Sequence, residues 1–376
     1  MAGEAISLFV LAGEASGDRI GGALIRRLGA AAPLKLSGVG GQAMLAEGLR
    51  PLFPMSDLSV MGFADVLARL PKLYWRMRQA ARAVLAERPD IVVLIDAQVF
   101  SATLARRLRK QGYRGPILLY VGPAVWAWKP ERAPGLKPLF DEILAVLPFE
   151  PAAMARLGGP PTHYVGHPAL AQFPFRPAVP ARGPLLLLPG SRDGEIARTL
   201  PMLRRVAEAL AAHPRVTSFV LPTPKLQRAR LAAATANWPV PVEIVADEPA
   251  KLAAFAEAVA AVAVSGTITL ELALAGVPMV VTYVADAGQA KRFLKYKVKF
   301  VALPNIVLDR DVVPELLFVE PDPERLAAAA LQLLDDRAAA EAQLAGFCEI
   351  RTLMEQGAPE APLEDPAGRV MAMLGR

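Results

Sequence analysis

The stretch from Ala258 to Tyr283 constrains the fold more than any other part of the chain. An apolar run, Ala258 to Val264, leads into Ser265-Gly266-Thr267, where a helical pattern carrying Glu271 begins. That pattern stops near Gly276, and Pro278 opens a second apolar run, Met279 to Tyr283. Strand, glycine turn, helix, glycine stop and strand form the βαβ grammar of a parallel sheet. A glycine turn feeding a helix N-terminus leaves backbone N–H groups free for an anion. Ser265 and Thr267 add hydroxyl donors. Glu271, one turn after Thr267 on a similar face, is placed to accept from sugar hydroxyls. The stretch reads as a nucleotide-sugar cradle, with phosphates on the turn and ribose on Glu271. A Ser or Thr N-cap followed by a helix-face Glu, common to any α/β protein, explains the same residues as well.

The rest of the chain decides how far that grammar extends. At 376 residues there is room for about two domains, and 53% apolar content supplies a large core. The 35 prolines and 28 glycines are dispersed, punctuating many short elements. The formal charge of +6 favours anionic partners: phosphorylated substrates, an anionic membrane surface or nucleic acid. A single cysteine, Cys348, excludes an intrachain disulfide framework and Cys-rich metal sites, and a reducing compartment is expected. The N-terminus lacks a basic signal region, and no charge-free apolar run reaches the ~18 residues of a spanning helix. The expectation is a soluble protein that touches a membrane without crossing it.

In chain order, Ile6 to Ala12 reads as a strand, followed by GEASGD (13–18) and a helix from about Arg19 to Ala32. Strand, glycine turn and helix at the start of an α/β chain is where crevice sites are built. The turn is not GxGxxG, so a dinucleotide fingerprint is poorly supported. Glu14 and Asp18 are candidates for binding hydroxyls, Asp18 more readily as an N-cap. From Leu58 to Val84, apolar residues including Met61, Phe63, Leu70 and Trp75 alternate with Arg69, Lys72, Arg76, Arg78 and Arg82. That pattern suits a lipid interface, although composition alone favours a core helix with a solvated basic face. The apolar strand Ile91 to Ile95 ends on Asp96, the best general-base candidate of the first half. Trp126 and Trp128, in the loop GPAVWAWKPERA (122–133), are expected to wall a pocket, with Lys129 and Arg132 facing an anion.

The proline-rich segment Ala171 to Pro184 reads as a linker between domains at 1–170 and 184–340, with 341–376 a candidate to pack back on the first. After it, Leu185–Leu188 and PGSRDGEI (189–196) repeat the strand, Gly-Ser turn and helix. Arg192 in that turn would meet a diphosphate bidentately, and Glu195 would pair with it or cap the helix. Residues 291–299 hold five Lys or Arg interleaved with Phe293 and Tyr296, either a phosphate or membrane contact or a solvated basic face.

Taken together these motifs resemble the lipid-A-disaccharide synthase family nearly end to end. The resemblance rests on GEASGD, LSVMGF (58–63), IDA (95–97), VWAW (125–128), LPFEP (147–151), YVGHP (164–168) and LPGSR (188–192) with Glu195. SGTITLE (265–271) and LPN (303–305) followed by VVPELL (312–317) complete it. It implies a GT-B-type α/β fold, two Rossmann-like parallel-sheet domains facing a cleft, with the UDP-sugar on the second. The implied reaction moves 2,3-diacylglucosamine from UDP-2,3-diacylglucosamine to the 6-hydroxyl of 2,3-diacylglucosamine 1-phosphate, inverting the anomeric centre, with no metal and no cofactor. By that resemblance Asp96 is the base, Glu14 and Arg192 are essential, and Arg192 stabilises the leaving diphosphate. Gly190, Ser191, Ser265, Gly266, Thr267, Glu271 and Asn305 would hold UDP. Met61, Phe63, Trp126 and Trp128 would lie on the acceptor and lipid side. The implied location is cytoplasmic, peripheral to the inner face of the inner membrane. A second copy of the chain is a further candidate partner and nucleic acid is not one.

The sequence departs from the family pattern at Gln98, Val99 and Ser101 after IDA, and at Gly122 and Ala124 before VWAW. These replacements keep open a divergent paralogue with another acceptor, or a non-catalytic protein that binds UDP-sugar or lipid. The intact Glu14, Asp96 and Arg192 argue against it.

Overall fold

The computed structural model describes residues 4–58 and 63–376, with side chains in the helix Phe63–Glu87 from residue 69 onward. Met61 and the side chain of Phe63, both expected on the lipid side, lie outside the described residues. The chain forms two compact units. Unit 1 runs up to Pro168 and includes Gln356–Arg376; unit 2 is Ala169–Glu355.

Unit 1 is built on six parallel strands: β1 (Ile6–Ala12), β2 (Leu34–Val39), β3 (Ile91–Ile95), β4 (Ile117–Tyr120), β5 (Glu142–Ala145) and β6 (Thr162–Tyr164). Their order is β2-β1-β3-β4-β5-β6. Both faces are covered by helices, which is why β1 and β3 are nearly unbroken apolar runs; every β3 side chain is fully buried. The order reverses between β1 and β3. Connections leave these neighbours in opposite directions, so the space beyond their C-terminal ends stays open. Ala12 pairs with Ile95, which puts Gly13-Glu14 beside Asp96-Ala97. The two turns nearly touch: a Cβ built on Gly13 would lie 2.9 Å from the Cβ of Ala97. Asp96 (φ 50°), Ala97 (φ 43°) and Val121 (φ 69°), just beyond β3 and β4, all occupy the left-handed region. That conformation is costly for residues with a Cβ, most of all for a β-branched valine, and such strain gathers at functional sites.

The returning segment is tied to this sheet by charge. Arg369 pairs with Glu142 at 2.6 Å, His163 Nδ1 lies 2.8 Å from Glu364, and Arg27 pairs with Asp365 at 2.6 Å.

Unit 2 repeats the plan with β7 (Gly183–Leu188), β8 (Val216–Pro222), β9 (Val242–Val245), β10 (Ala260–Val264), β11 (Met279–Val284) and β12 (Glu315–Phe318). All are parallel, in the order β12-β11-β10-β7-β8-β9. The reversal falls between β7 and β10, where Leu188 pairs with Ala263. The core under it joins Leu185, Leu187, Val262 and Val280 to Leu203 and Val206 of the helix Asp193–Leu210 and Leu326 of the helix Pro323–Asp335. The segment read as a linker is packed instead. Phe173 is buried and stacks on Phe255 at 5.5 Å, and Arg176 donates to the carbonyls of Gly276 (3.0 Å) and Ala256 (3.2 Å). Prolines removed the helical period there, but one aromatic and one arginine suffice to dock the segment on unit 2. Among the described residues no helix is long and apolar enough to cross a membrane.

The Gly13–Ala97 approach gives a direct test of the unit 1 turn geometry. Gly13→Ala is expected to destabilise unit 1 by ~1–3 kcal/mol through overpacking. Adding Ala97→Gly, which removes the facing methyl and suits the left-handed backbone, should restore most of it. Urea denaturation of the two single variants and the pair reads this out as non-additivity; additive losses contradict the contact.

Candidate active site

At the unit 1 reversal, two carboxylates share the mouth of the sheet. Glu14 is the extended N-cap of the helix Ala15–Ala31, and its side chain makes no cap hydrogen bond, so it is left to the opening. Asp96 is held by its backbone: its N–H donates to Tyr120 O at 2.8 Å, and its carbonyl accepts from Ser101 Oγ at 2.8 Å. Burial pushes the Asp96 carboxyl above its ordinary range, opposed by the Ala97 N–H. Burial also raises Glu14, and repulsion from Asp96 adds to it. Partly desolvated acids with raised affinity for a proton are what general acid–base work at neutral pH uses.

Asp18 does something else. It lies inside the helix Ala15–Ala31, which starts four residues earlier than the sequence pattern suggested. Its carboxylate accepts from Gly41 N (2.7 Å), Ala43 N (2.9 Å) and Met44 N (3.1 Å), capping the short helix Gln42–Ala46 from a distance. It is a cap, but of another helix, and its oxygens are occupied.

At the unit 2 reversal, two helix N-termini flank one crevice. β7 is followed by Pro189-Gly190-Ser191-Arg192 and the helix Asp193–Leu210; β10 by Ser265-Gly266 and the helix Thr267–Ala275. Both present free backbone N–H groups and the positive end of a macrodipole. Gly190 is required where it stands: its φ is +97°, and a Cβ would lie 2.9 Å from Glu195 Oε2. The Arg192 side chain is 82% exposed and, among the described residues, held only by buried Glu195, Nη1 to Oε1 at 2.7 Å. An anchored but solvent-facing guanidinium beside two helix N-termini is an arrangement able to receive an anion.

The hydroxyls divide. Ser265 Oγ donates to Val301 O at 2.6 Å, so its one proton is committed and only its lone pairs remain. Thr267 is exposed, and its hydroxyl has no partner among the described residues. Glu271 is paired with Lys251, Nζ to Oε2 at 2.6 Å, and Lys251 also lies 5.0 Å from the Phe173 ring centroid. Lys251 had no role in the sequence reading; it reaches Glu271 from the helix Glu248–Glu257. Asn305 departs from expectation. It is fully buried; Oδ1 accepts from Val312 N (2.8 Å) and Val313 N (2.9 Å), and Nδ2 donates to Val313 O (2.9 Å) and Glu315 Oε1 (2.8 Å). All the hydrogen-bonding positions of its side chain are filled, so that side chain shapes the loop around it.

The tryptophan loop also divides. Trp126 is pinned: Nε1 donates to Glu150 Oε1 at 3.1 Å, and its ring meets Phe149 edge-on at 5.0 Å. Trp128 is 41% exposed with the Lys129 ammonium 4.6 Å from its ring centroid. Glu150, in LPFEP, carried no assigned role in the sequence reading. Its other oxygen accepts from Val146 N (3.2 Å) and Leu147 N (3.1 Å), joining the ends of β4 and β5. Burial pushes its carboxyl up to about 7, opposed by these three donors.

On the helix Phe63–Glu87, Met77, Ala80, Ala81 and Val84 are buried, while Leu70 (47%), Tyr74 (54%) and Trp75 (55%) face out. Not every cation on it is a free rim charge. Arg76 donates to Asp57 at 2.8 Å and lies over the rings of Phe53 and Trp75, and Lys72 also pairs with Asp57. In unit 2, Lys291, Arg292, Lys295, Lys297 and Lys299 are exposed, as is Leu294 at 80%. Among the described residues no three or more His, Cys, Asp or Glu side chains gather as a metal site.

A family model described as lipid-A-disaccharide synthetase matches residues 8–362. The lipid-A-disaccharide synthase of Rhodopseudomonas palustris is 42% identical over 383 residues, covering 96% of this chain and 94% of its own. That of Nitrobacter winogradskyi is 42% identical over 365 residues, covering 93% and 91%. Solved structures with the same fold are more distant in sequence. A kitacinnamycin glycosyltransferase superposes with a TM-score of 0.60 at 18% identity, covering 98% of each chain. The calicheamicin glycosyltransferase CalG4 gives 0.58 at 19%, covering 99% of each. A UDP-GlcNAc 2-epimerase of Neisseria meningitidis, bound to UDP-GlcNAc, gives 0.61 at 12%, covering 93% of this chain and 99% of its own. The fold is thus of the GT-B glycosyltransferase type.

The Glu150 arrangement predicts a substitution effect that charge alone would not. Glu150→Gln keeps the shape but turns one oxygen into an NH2 that faces an N–H donor. It should destabilise unit 1 by ~1–3 kcal/mol at pH 7.5 and shift the Trp126 emission. An unchanged denaturation midpoint and spectrum contradict the clamp.

Proposed function

The chain belongs to the lipid-A-disaccharide synthetase family and is a glycosyltransferase forming the lipid A disaccharide; from that premise we propose its substrates, stereochemistry and residue roles. The donor is UDP-2,3-diacylglucosamine and the acceptor 2,3-diacylglucosamine 1-phosphate. The 6-hydroxyl oxygen of the acceptor attacks the anomeric carbon of the donor sugar. The bond from that carbon to the diphosphate breaks, and UDP leaves from the opposite face, which inverts the centre. Asp96 takes the hydroxyl proton. Glu14, beside it, orients the acceptor. In unit 2 the N-termini beyond β7 and β10, with Gly190, Ser191, Gly266, Thr267 and Arg192, hold the diphosphate and stabilise the charge developing on it. Glu271 takes the ribose, with Lys251 fixing its carboxylate.

The observation that carries the reading is the placement of both sets of residues at strand-order reversals. Acids occupy the one in unit 1, and helix N-termini with an arginine occupy the one in unit 2. Each chemical need meets the local electrostatics that suit it. Exposed Leu70, Tyr74 and Trp75, rimmed by basic residues, support peripheral contact with an acidic membrane surface. The replacements near the acceptor side have local roles: Ser101 supports the Asp96 carbonyl, and Gln98 donates to Gly122 O at 3.4 Å.

Purified protein with both lipid substrates in detergent should yield the disaccharide 1-phosphate and UDP by mass spectrometry. Since a base acts ionised and Asp96 is raised, kcat/KM should fall with decreasing pH at a value above the ordinary ~3.9 of Asp. Retained UDP binding without product would instead point to another acceptor or a silent paralogue, with Gln98, Val99, Ser101, Gly122 and Ala124 the first positions to revert.

A further inference from the structure

We propose that a cavity in unit 1, beside the first helix, is a subsite for a lipid phosphate monoester: its apolar walls take an acyl chain and Arg19 takes the phosphate. This deepens the acyl-sugar transfer reading above and rests on it. The cavity lies between the start of the helix Ala15–Ala31, the turn at Gly40–Ala43 and the segment Pro51–Ser56, with a volume of about 1120 Å³. Ligand cavities commonly run ~300–1,000 Å³, so there is room for a chain.

Three features select the ligand class. Its walls are apolar: Leu45, Pro51, Leu52, Phe53 and Met55, with Leu45 left 46% exposed to water. Filling such walls with methylene groups removes apolar surface from water, which is favourable. One cation, Arg19, stands on the lining, and it is exposed with no partner among the described residues. The other arginines of that helix are engaged, Arg26 with Glu47 and Arg27 with Asp365, both at 2.6 Å. The adjacent acid, Asp18, makes no ion pair with Arg19 among the described residues; its oxygens accept three backbone N–H groups instead. The third feature is position. Ala15 and Arg19 are one helical turn apart on the lining, and Ala15 directly follows Glu14. A lipid anchored here has its head group led to the Glu14–Asp96 mouth. A free guanidinium at one side of an apolar cavity matches a phosphate monoester attached to an acylated sugar.

The test uses the full chain and two surface substitutions, Arg19→Gln and Leu45→Asp. Binding of 2,3-diacylglucosamine 1-phosphate in detergent is measured by equilibrium titration, alongside steady-state KM for each substrate. Each substitution should weaken acceptor binding and raise its KM by ~10-fold or more, with UDP binding and the donor KM unmoved. The dephosphorylated acceptor should lose the Arg19 effect but keep that of Leu45. Three results would overturn the proposal. The first is an unchanged acceptor KM; the second is equal movement of donor and acceptor KM. The third is the same Arg19 sensitivity with phosphatidylglycerol micelles or inorganic phosphate, which would assign the cation to membrane lipid or to phosphate alone. Failure of the parent reading is separable: wild-type protein would then form no disaccharide, while the binding titration would still report on the cavity.

Discussion

Each unit depends on one topological fact: a parallel sheet whose strand order reverses once. At a reversal the connections leave adjacent strands toward opposite sides, and the strand ends are left uncovered. Register then decides which residues stand there. Ala12 beside Ile95 sends Glu14 and Asp96 into one opening, and Leu188 beside Ala263 sends Gly190–Arg192 and Ser265–Thr267 into the other. A one-residue slip of β3 would turn Asp96 to the other face of the sheet. The buried valines and leucines of these strands therefore hold the chemistry in place as much as they stabilise the core.

The two openings solve opposite electrostatic problems. A base must be ionised yet take a proton readily; in the proposed reaction burial raises Asp96 to that end in unit 1, and Glu14 beside it is raised by burial and by Asp96. A leaving diphosphate needs compensation prepared in advance. In the proposed reaction the helix N-termini of unit 2 and Arg192 would provide it, with Glu195 holding the arginine without enclosing it. The left-handed backbone at Asp96, Ala97 and Val121 shows what the first arrangement demands, since three residues with side chains are kept where glycine would sit more easily. Ser101 under the Asp96 carbonyl and the Glu150 clamp on Trp126 hold those turns in place.

Much of the fold was legible because parallel strands buried on both faces are written as short apolar runs between glycine turns. Ile6–Ala12 and Ile91–Ile95 could be read to the residue. What sequence could not carry was partnership across space. Asp18 looked like the cap of its own helix and caps another. Ser265 and Thr267 looked equivalent, yet Val301 takes the proton of one. Asn305 sits in a telling motif but is saturated by its own loop. Ala171–Pro184 had the composition of a linker while Phe173 and Arg176 dock it. Lys251, Glu150 and Arg19 left no signal, because each depends on what a distant segment brings to it or withholds from it.

In the proposed reaction the chemistry is divided: proton removal by Asp96 in unit 1, diphosphate binding in unit 2. One measurement addresses it most directly, UDP titration by calorimetry on Asp96→Ala alongside its rate of disaccharide formation. An unchanged Kd for UDP with turnover lost is the expected result. A UDP affinity that falls together with turnover, or turnover that survives, would contradict it.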